Sequence, residues 1–184
     1  MFTKINNDIV ICDGAFTEEE LATIENSCDL HMETHGVITK MAGISYAMWV
    51  PRAANTKLIY SKMADVCRKA NEQFFNFDIT GYIDEGILFL EYRDPGHHFD
   101  WHVDNSESYR GKIEPVKLIV ILQLTDPSNY EGAVAEVAGT GITQLPKKRG
   151  LISIIPGYMS HRVTELESGN RKVLSAWFTG PRFK

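Results

Sequence analysis

Beyond Gly81 the chain reads as short β-rich runs cut by turn residues, and no other feature restricts its fold as much. The runs are 86–92, 98–103, 116–124, 133–137, 150–155, 160–166 and 171–179, separated by turns such as Asp94-Pro95-Gly96, Asp126-Pro127-Ser128-Asn129, Pro156-Gly157 and Ser168-Gly169-Asn170. Strands at this spacing predict a sandwich or barrel that is closed or doubled, because an open sheet of this size would leave long unpaired edges. Upstream, residues 9–12 and 46–50 read as short strands. Thr17 followed by Glu18, Glu19 and Glu20 is an N-cap with first-turn acids and predicts a helix to about residue 27. Residues 56–75 place Leu58, Ile59, Met63, Val66, Cys67, Ala70 and Phe74 at helical spacing. Residues 30–45 are polar, with Gly36 and Gly43, and predict a mobile loop. Together with Trp49-Val50-Pro51-Arg52 they make 31–56 a candidate lid.

The expected fold class is therefore α+β with a mainly β core, the helices packed on one outer face. One domain over 1–184 is expected, with a core at about 84–181 and helical support at about 1–83. The formal net charge of −5, from 19 Lys and Arg against 24 Asp and Glu, disfavours a broad nucleic-acid-binding surface. No apolar run approaches the ~20 residues of a membrane span, so no membrane partner is expected. The opening segment has only a four-residue apolar stretch behind Asp8, so no secretory leader is expected either. Cys12, Cys28 and Cys67 are odd in number and scattered, which predicts reduced core thiols and a cytoplasmic location.

The chemistry concentrates around His102-Val103-Asp104. Two residues apart on a strand, His102 and Asp104 point to one face and can take neighbouring positions on a divalent metal. His161 is the candidate third ligand. Two histidines and a carboxylate on one face leave open positions, as in non-haem Fe(II) oxygenases. An HxD pair alone carries little weight among six histidines. Arg171, ten residues after His161, adds to it. Arg171, Val173, Ser175 and Trp177 share one face of the last strand, and Lys172, Leu174, Ala176 and Phe178 share the other. An inward Arg171 demands an anion, such as a dicarboxylate that also chelates the metal. An outward Arg171 would simply face solvent beside Glu165 or Glu167.

These motifs resemble the iron(II)- and 2-oxoglutarate-dependent dioxygenase domain of the prolyl 4-hydroxylase-like family, in its bacterial and phage branch. The likeness covers about residues 84–181. Tyr92 stands ten residues before His102, Pro95-Gly96 matches a Gly-rich loop, and Phe99 is the aromatic three before the histidine. Residues 123–132, 146–163 and 167–181 continue the match in order. The resemblance implies a double-stranded β-helix, a jelly-roll variant. It implies Fe(II) on His102, Asp104 and His161, with 2-oxoglutarate held by Arg171, Tyr92 and the Gln123 position. Trp177, Phe99 and Val163 would line the substrate pocket. It also implies a hydroxylase that couples oxidation of a proline-containing peptide or protein to decarboxylation of 2-oxoglutarate, giving succinate and CO2, with O2 consumed and ascorbate as reductant. Asp104 favours hydroxylation over halogenation, since halogenating relatives replace that carboxylate with a small residue.

Two departures stand out. Gln123 occupies a position where animal relatives carry Tyr, which calls for a different second donor to the distal carboxylate. Tyr130-Glu131-Gly132-Ala133-Val134-Ala135 departs from the YEGGEL of many bacterial relatives, near the substrate entrance. His97 and His98 are expected to face solvent or back the ligands, His31 and His35 to lie on the surface, Trp101 to point away from the metal face, and Lys147, Lys148 and Arg149 to form a solvated turn. Two alternatives remain: an oxygenase of the same fold acting on a free amino acid or other small molecule, and a non-oxidising metal-binding barrel or zinc hydrolase. Hydrolysis would need no dicarboxylate anchor and would want a general base beside a metal-bound water.

Overall fold

The computed structural model describes residues 1–39, 43–104, 107–109 and 112–182. The first half contains β1 (Phe2–Lys4), β2 (Val10–Cys12), α1 (Glu18–His35), β3 (Val37–Thr39), β4 (Gly43–Val50), α2 (Lys57–Ala70) and β5 (Gly81–Tyr92). The second contains β6 (His98–His102), β7 (Glu107–Tyr109), β8 (Lys112–Glu114), β9 (Val116–Gln123), β10 (Tyr130–Gly132), β11 (Ala135–Ala138), β12 (Ile142–Gln144), β13 (Ile152–Pro156), β14 (His161–Val163), β15 (Leu166–Gly169) and β16 (Arg171–Thr179).

Twelve strands form one curled sheet in the order β1-β2-β13-β9-β16-β5-β4-β6-β14-β11-β12, with β3 on the side of β4. Strand β4 is where the sheet folds over. Its Tyr46–Val50 stretch pairs with β5, while Gly43 and Ile44 pair with Phe99 and His98 of β6. The β13-β9-β16-β5 half thus faces the β6-β14-β11-β12 half across a cavity, giving the double-stranded β-helix that the motifs imply.

Alternation assigns each strand's residues to one of two cores. Ile87 and Phe89 of β5, Leu118, Val120 and Leu122 of β9, and Leu174, Ala176 and Phe178 of β16 pack with Leu21, Ile24, Met63 and Val66 of the helices. The opposite face sends Leu88, Leu90 and Tyr92, Ile119 and Ile121, and Val173, Ser175 and Trp177 to the cavity. Both faces of these strands are covered, which explains the nearly unbroken apolar run in β9. Cys12, Cys28 and Cys67 are free and buried, and burial pushes the Cys28 thiol up to about 12. No helix among the described residues is long and apolar enough to cross a membrane.

Several expectations need correcting. Helix α1 runs on to His35, because Cys28 and Met32 continue the buried stripe of Leu21 and Ile24. Its start is as expected, a capping box in which Thr17 and Glu20 satisfy each other's backbone N–H. The expected loop at 30–45 is instead the end of α1 and the β3–β4 hairpin, and residues 40–42 of the candidate lid lie outside the described residues. The expected strand at 160–166 divides, since β14 pairs with β6 and β11 whereas β15 pairs with β10. In the turn of Lys147, Lys148 and Arg149, Lys148 is exposed as expected but Arg149 is not. Arg149 reaches Glu18 at 2.6 Å and Glu25 at 2.7 Å and donates to the Leu124 carbonyl, clamping α1 to the sheet.

Helix α2 is keyed to the sheet at Gly86. Between the pairs Ala176–Ile87 and Phe178–Tyr82 the register shifts, so residues 83–86 of β5 stand against Trp177 alone. In this bulge the Tyr60 hydroxyl donates to the Val50 carbonyl at 2.6 Å and accepts from the Ile87 N–H at 3.2 Å. Gly86 has φ +95°, and a Cβ there would overlap the Tyr60 hydroxyl. Gly86→Ala is expected to lower unfolding stability by about 1–3 kcal/mol in a urea titration, from backbone strain and displacement of Tyr60.

Candidate active site

Antiparallel pairing of β6 and β14 sets His102 directly opposite His161, and their ring centroids are 4.2 Å apart. Asp104 follows two residues beyond His102. Its Oδ1 lies 3.7 Å from His102 Nε2 and its Oδ2 lies 3.5 Å from His161 Nε2. One ligand atom from each of the three falls within 4.8 Å of the others. The backbone selects the tautomers. His102 Nδ1 stands 2.7 Å from the Asp100 carbonyl and His161 Nδ1 3.0 Å from the Met159 carbonyl, acceptors that fix the ring proton on Nδ1 and leave the Nε2 lone pairs facing the centre. Burial lowers the pKa of His161, with Asp104 partly opposing, so its imidazole stays neutral. Trp177 donates its indole N–H to Asp104 Oδ2 and stacks edge-on against Trp49 at 6.0 Å, while Phe99 packs on His102 at 4.4 Å.

The cavity beside this cluster encloses about 90 Å³, and Phe99 and Val163 are among its walls, as are Trp177 and Tyr92. Arg171 lies at the other end of the β16 face from Trp177. It points inward and is 4% exposed. Its Nε donates to Gln123 Oε1 at 3.2 Å and its guanidinium sits 5.4 Å from the centre of the Tyr92 ring, but Nη1 has no hydrogen-bond partner. Burial raises the Tyr92 phenol above its ordinary range, with the Arg171 charge partly opposing, so it remains an O–H group.

The structure therefore brings His102, Asp104 and His161 together, and places Tyr92, Gln123 and Arg171 together away from them. Trp101 faces outward, stacked under the Arg162 guanidinium at 4.8 Å. His97 is buried rather than solvent-facing, against Tyr46 at 5.6 Å and Asp94 at 3.3 Å. Tyr130, not singled out as a site residue, also stands at the Arg171 end, 3.2 Å from Gln123 Nε2. The sequence signal for it was a tyrosine seven residues after the Gln123 departure.

The sequence matches the family described as the 2OG-Fe(II) oxygenase superfamily over residues 87–179. It is 33% identical over 95 residues to a PKHD-type hydroxylase of Prochlorococcus marinus, covering 50% of this chain and 40% of that relative. The matched segment thus spans well under half of the relative's length. Among solved structures, a Pseudomonas putida prolyl-4-hydroxylase superposes with a TM-score of 0.74 at 16% identity, covering 96% of this chain and 94% of that one. A prolyl hydroxylase from Trichoplax adhaerens, in complex with a hypoxia-inducible-factor peptide fragment, superposes with a TM-score of 0.77 at 12% identity, covering 95% and 84%. At these identities the structural likeness is one of fold.

The family uses Fe(II), 2-oxoglutarate and O2, and the donor chemistry fits that set. Two neutral imidazoles and a carboxylate suit Fe(II) with positions to spare, and a buried guanidinium whose Nη1 has no partner suits a distal carboxylate. Trp177→Phe would keep the ring packing but remove the proton donor to Asp104. Metal affinity, measured by titration with Co(II), is expected to fall about ten-fold, in the range for lost partners of metal ligands.

Proposed function

This chain belongs to the 2OG-Fe(II) oxygenase superfamily, and from that premise we propose that it is a prolyl hydroxylase acting on a proline-containing peptide or protein. The observation that carries the reading is the pairing, in one cavity, of a His-Asp-His cluster with a buried, incompletely partnered Arg171. A zinc hydrolase has no use for that guanidinium. The prolyl substrate draws its support from the relatives, which are named as PKHD-type and prolyl hydroxylases. The exposed Trp49 beside Trp177 offers an aromatic surface on which a pyrrolidine ring can rest.

In this reading His102 Nε2, His161 Nε2 and one oxygen of Asp104 hold Fe(II), and Trp177 keeps Asp104 in its orientation. Arg171 receives the distal carboxylate of 2-oxoglutarate, and Tyr92 donates a hydrogen bond to the cosubstrate. Leu88, Leu90, Ile119, Ile121 and Val173 line the space between the two groups and exclude water from it. When bound, Fe(II) with 2-oxoglutarate and O2 supplies the oxidant for C–H hydroxylation, with succinate and CO2 as co-products. The chain's own contribution is position: the three ligand side chains and Arg171 would hold the metal and the cosubstrate in one cavity, with Trp49 beside Trp177.

Incubation with Fe(II), 2-oxoglutarate, ascorbate, air and a library of proline-containing peptides is expected to add one oxygen to proline, detected by tandem mass spectrometry. His161→Ala should abolish the product. Arg171→Ala should weaken 2-oxoglutarate about ten- to hundred-fold, the loss of a charge-assisted contact of roughly 1.5–3 kcal/mol. Oxygenation of free amino acids or other small molecules with no peptide product would overturn the prolyl assignment. Unchanged cosubstrate affinity in Arg171→Ala would overturn the role of that residue.

A further inference from the structure

We infer that Tyr130, rather than Gln123, supplies the second hydrogen bond to the distal carboxylate of the cosubstrate; this rests on the reading of Arg171 as its anchor. Arg171 Nε–H can only donate, so the Gln123 atom 3.2 Å from it is the amide oxygen. The Gln123 nitrogen then faces the Thr125 carbonyl at 3.0 Å and the Tyr130 hydroxyl oxygen at 3.2 Å. Both amide protons are thereby used within the protein, and Gln123 has none left for a ligand. It is a positioning residue that aims Arg171 and Tyr130 at the same place.

Tyr130 is in the complementary state. Its oxygen accepts from Gln123 and from the Arg171 guanidinium, and among the described residues no acceptor takes its proton. The side chain is 4% exposed, and burial raises the phenol above its ordinary range with Arg171 partly opposing, so the proton stays on the oxygen. Arg171 and Tyr130 border a narrow cleft whose walls Ile121, Ala135 and Leu145 are also walls of the main cavity. The cleft is thus the Arg171 end of the same space. An unpartnered Nη1 and an uncommitted phenol proton at that end make two donors, as many as a carboxylate has oxygens.

The fold holds Tyr130 there by construction. Strand β10 pairs Tyr130 with Gly169, two residues before Arg171, so the positions of the two donors are tied through β15. Gly169 has φ +80°, and a Cβ there would collide with the Asn129 carbonyl. The ring packs in one cluster with Ala133, Leu166 and Val173.

The test compares 2-oxoglutarate with 2-oxopentanoate, a 2-oxo acid of equal chain length that lacks the distal carboxylate, by calorimetry on the Mn(II)-loaded protein. Tyr130→Phe, with thermal melting as a check of folding, should weaken 2-oxoglutarate about ten-fold or more and leave 2-oxopentanoate unchanged. Wild-type affinity for 2-oxoglutarate in the folded variant would overturn the inference while leaving Arg171 in its role. Wild-type protein that binds the two acids equally would instead overturn the anchor reading beneath it. A second measurement needs no substitution. In protein labelled with 3-fluorotyrosine, the fluorine resonance of residue 130 should move on adding 2-oxoglutarate and not on adding 2-oxopentanoate. A resonance that ignores both acids, or answers both alike, would again remove Tyr130 from the contact.

Discussion

Arg171 carries a guanidinium to a position only 4% exposed, and Nη1 there has no partner. An isolated cation inside a protein costs several kcal/mol, so a chain that keeps one has arranged its surroundings to receive an anion. What surrounds Arg171 is polar but uncharged: the Gln123 amide and the Tyr92 and Tyr130 phenols, both held in the protonated state by burial. The proposed function gives that cation a ligand carboxylate as its partner, and the apolar walls between Arg171 and the His-Asp-His cluster strengthen every charge interaction made within them.

The curled sheet makes this possible because β16 is buried on both faces. Leu174, Ala176 and Phe178 lock it to the helices, so Arg171, Val173, Ser175 and Trp177 project from a rigid strand. One face therefore carries the buried Arg171 guanidinium at one end and, at the other, the indole that holds Asp104. The proposed metal ligands come from the opposing half of the sheet, where strand pairing places His102 against His161. Each half alone holds part of the site, and β4, shared between them, brings the parts together.

Much of this is legible in the sequence, and for physical reasons. Period-two alternation along 171–179 sorts the two faces of β16 without any structure, because a strand buried on both sides has no other pattern available. The spacing of His102 and Asp104 reads the same way. What escapes the sequence depends on neighbours remote along the chain. Residues 28–35 look polar, yet Cys28 and Met32 alone extend the buried stripe and carry α1 eight residues further. His97 and Arg149 look like turn residues, but a ring of β4 covers the first and two α1 carboxylates engage the second. Tyr130 was hidden most completely. Its value comes from Gln123 having spent its protons elsewhere, which only the hydrogen-bond pattern reveals.

The most direct test of the account is an anaerobic titration of metal-free protein with Fe(II) and then 2-oxoglutarate, followed by visible absorption. The account predicts a weak charge-transfer band, as a chelated 2-oxo acid gives, that saturates with 2-oxoglutarate and is absent in His161→Ala. Absence of the band in the wild-type protein, with tight zinc binding instead, would contradict it.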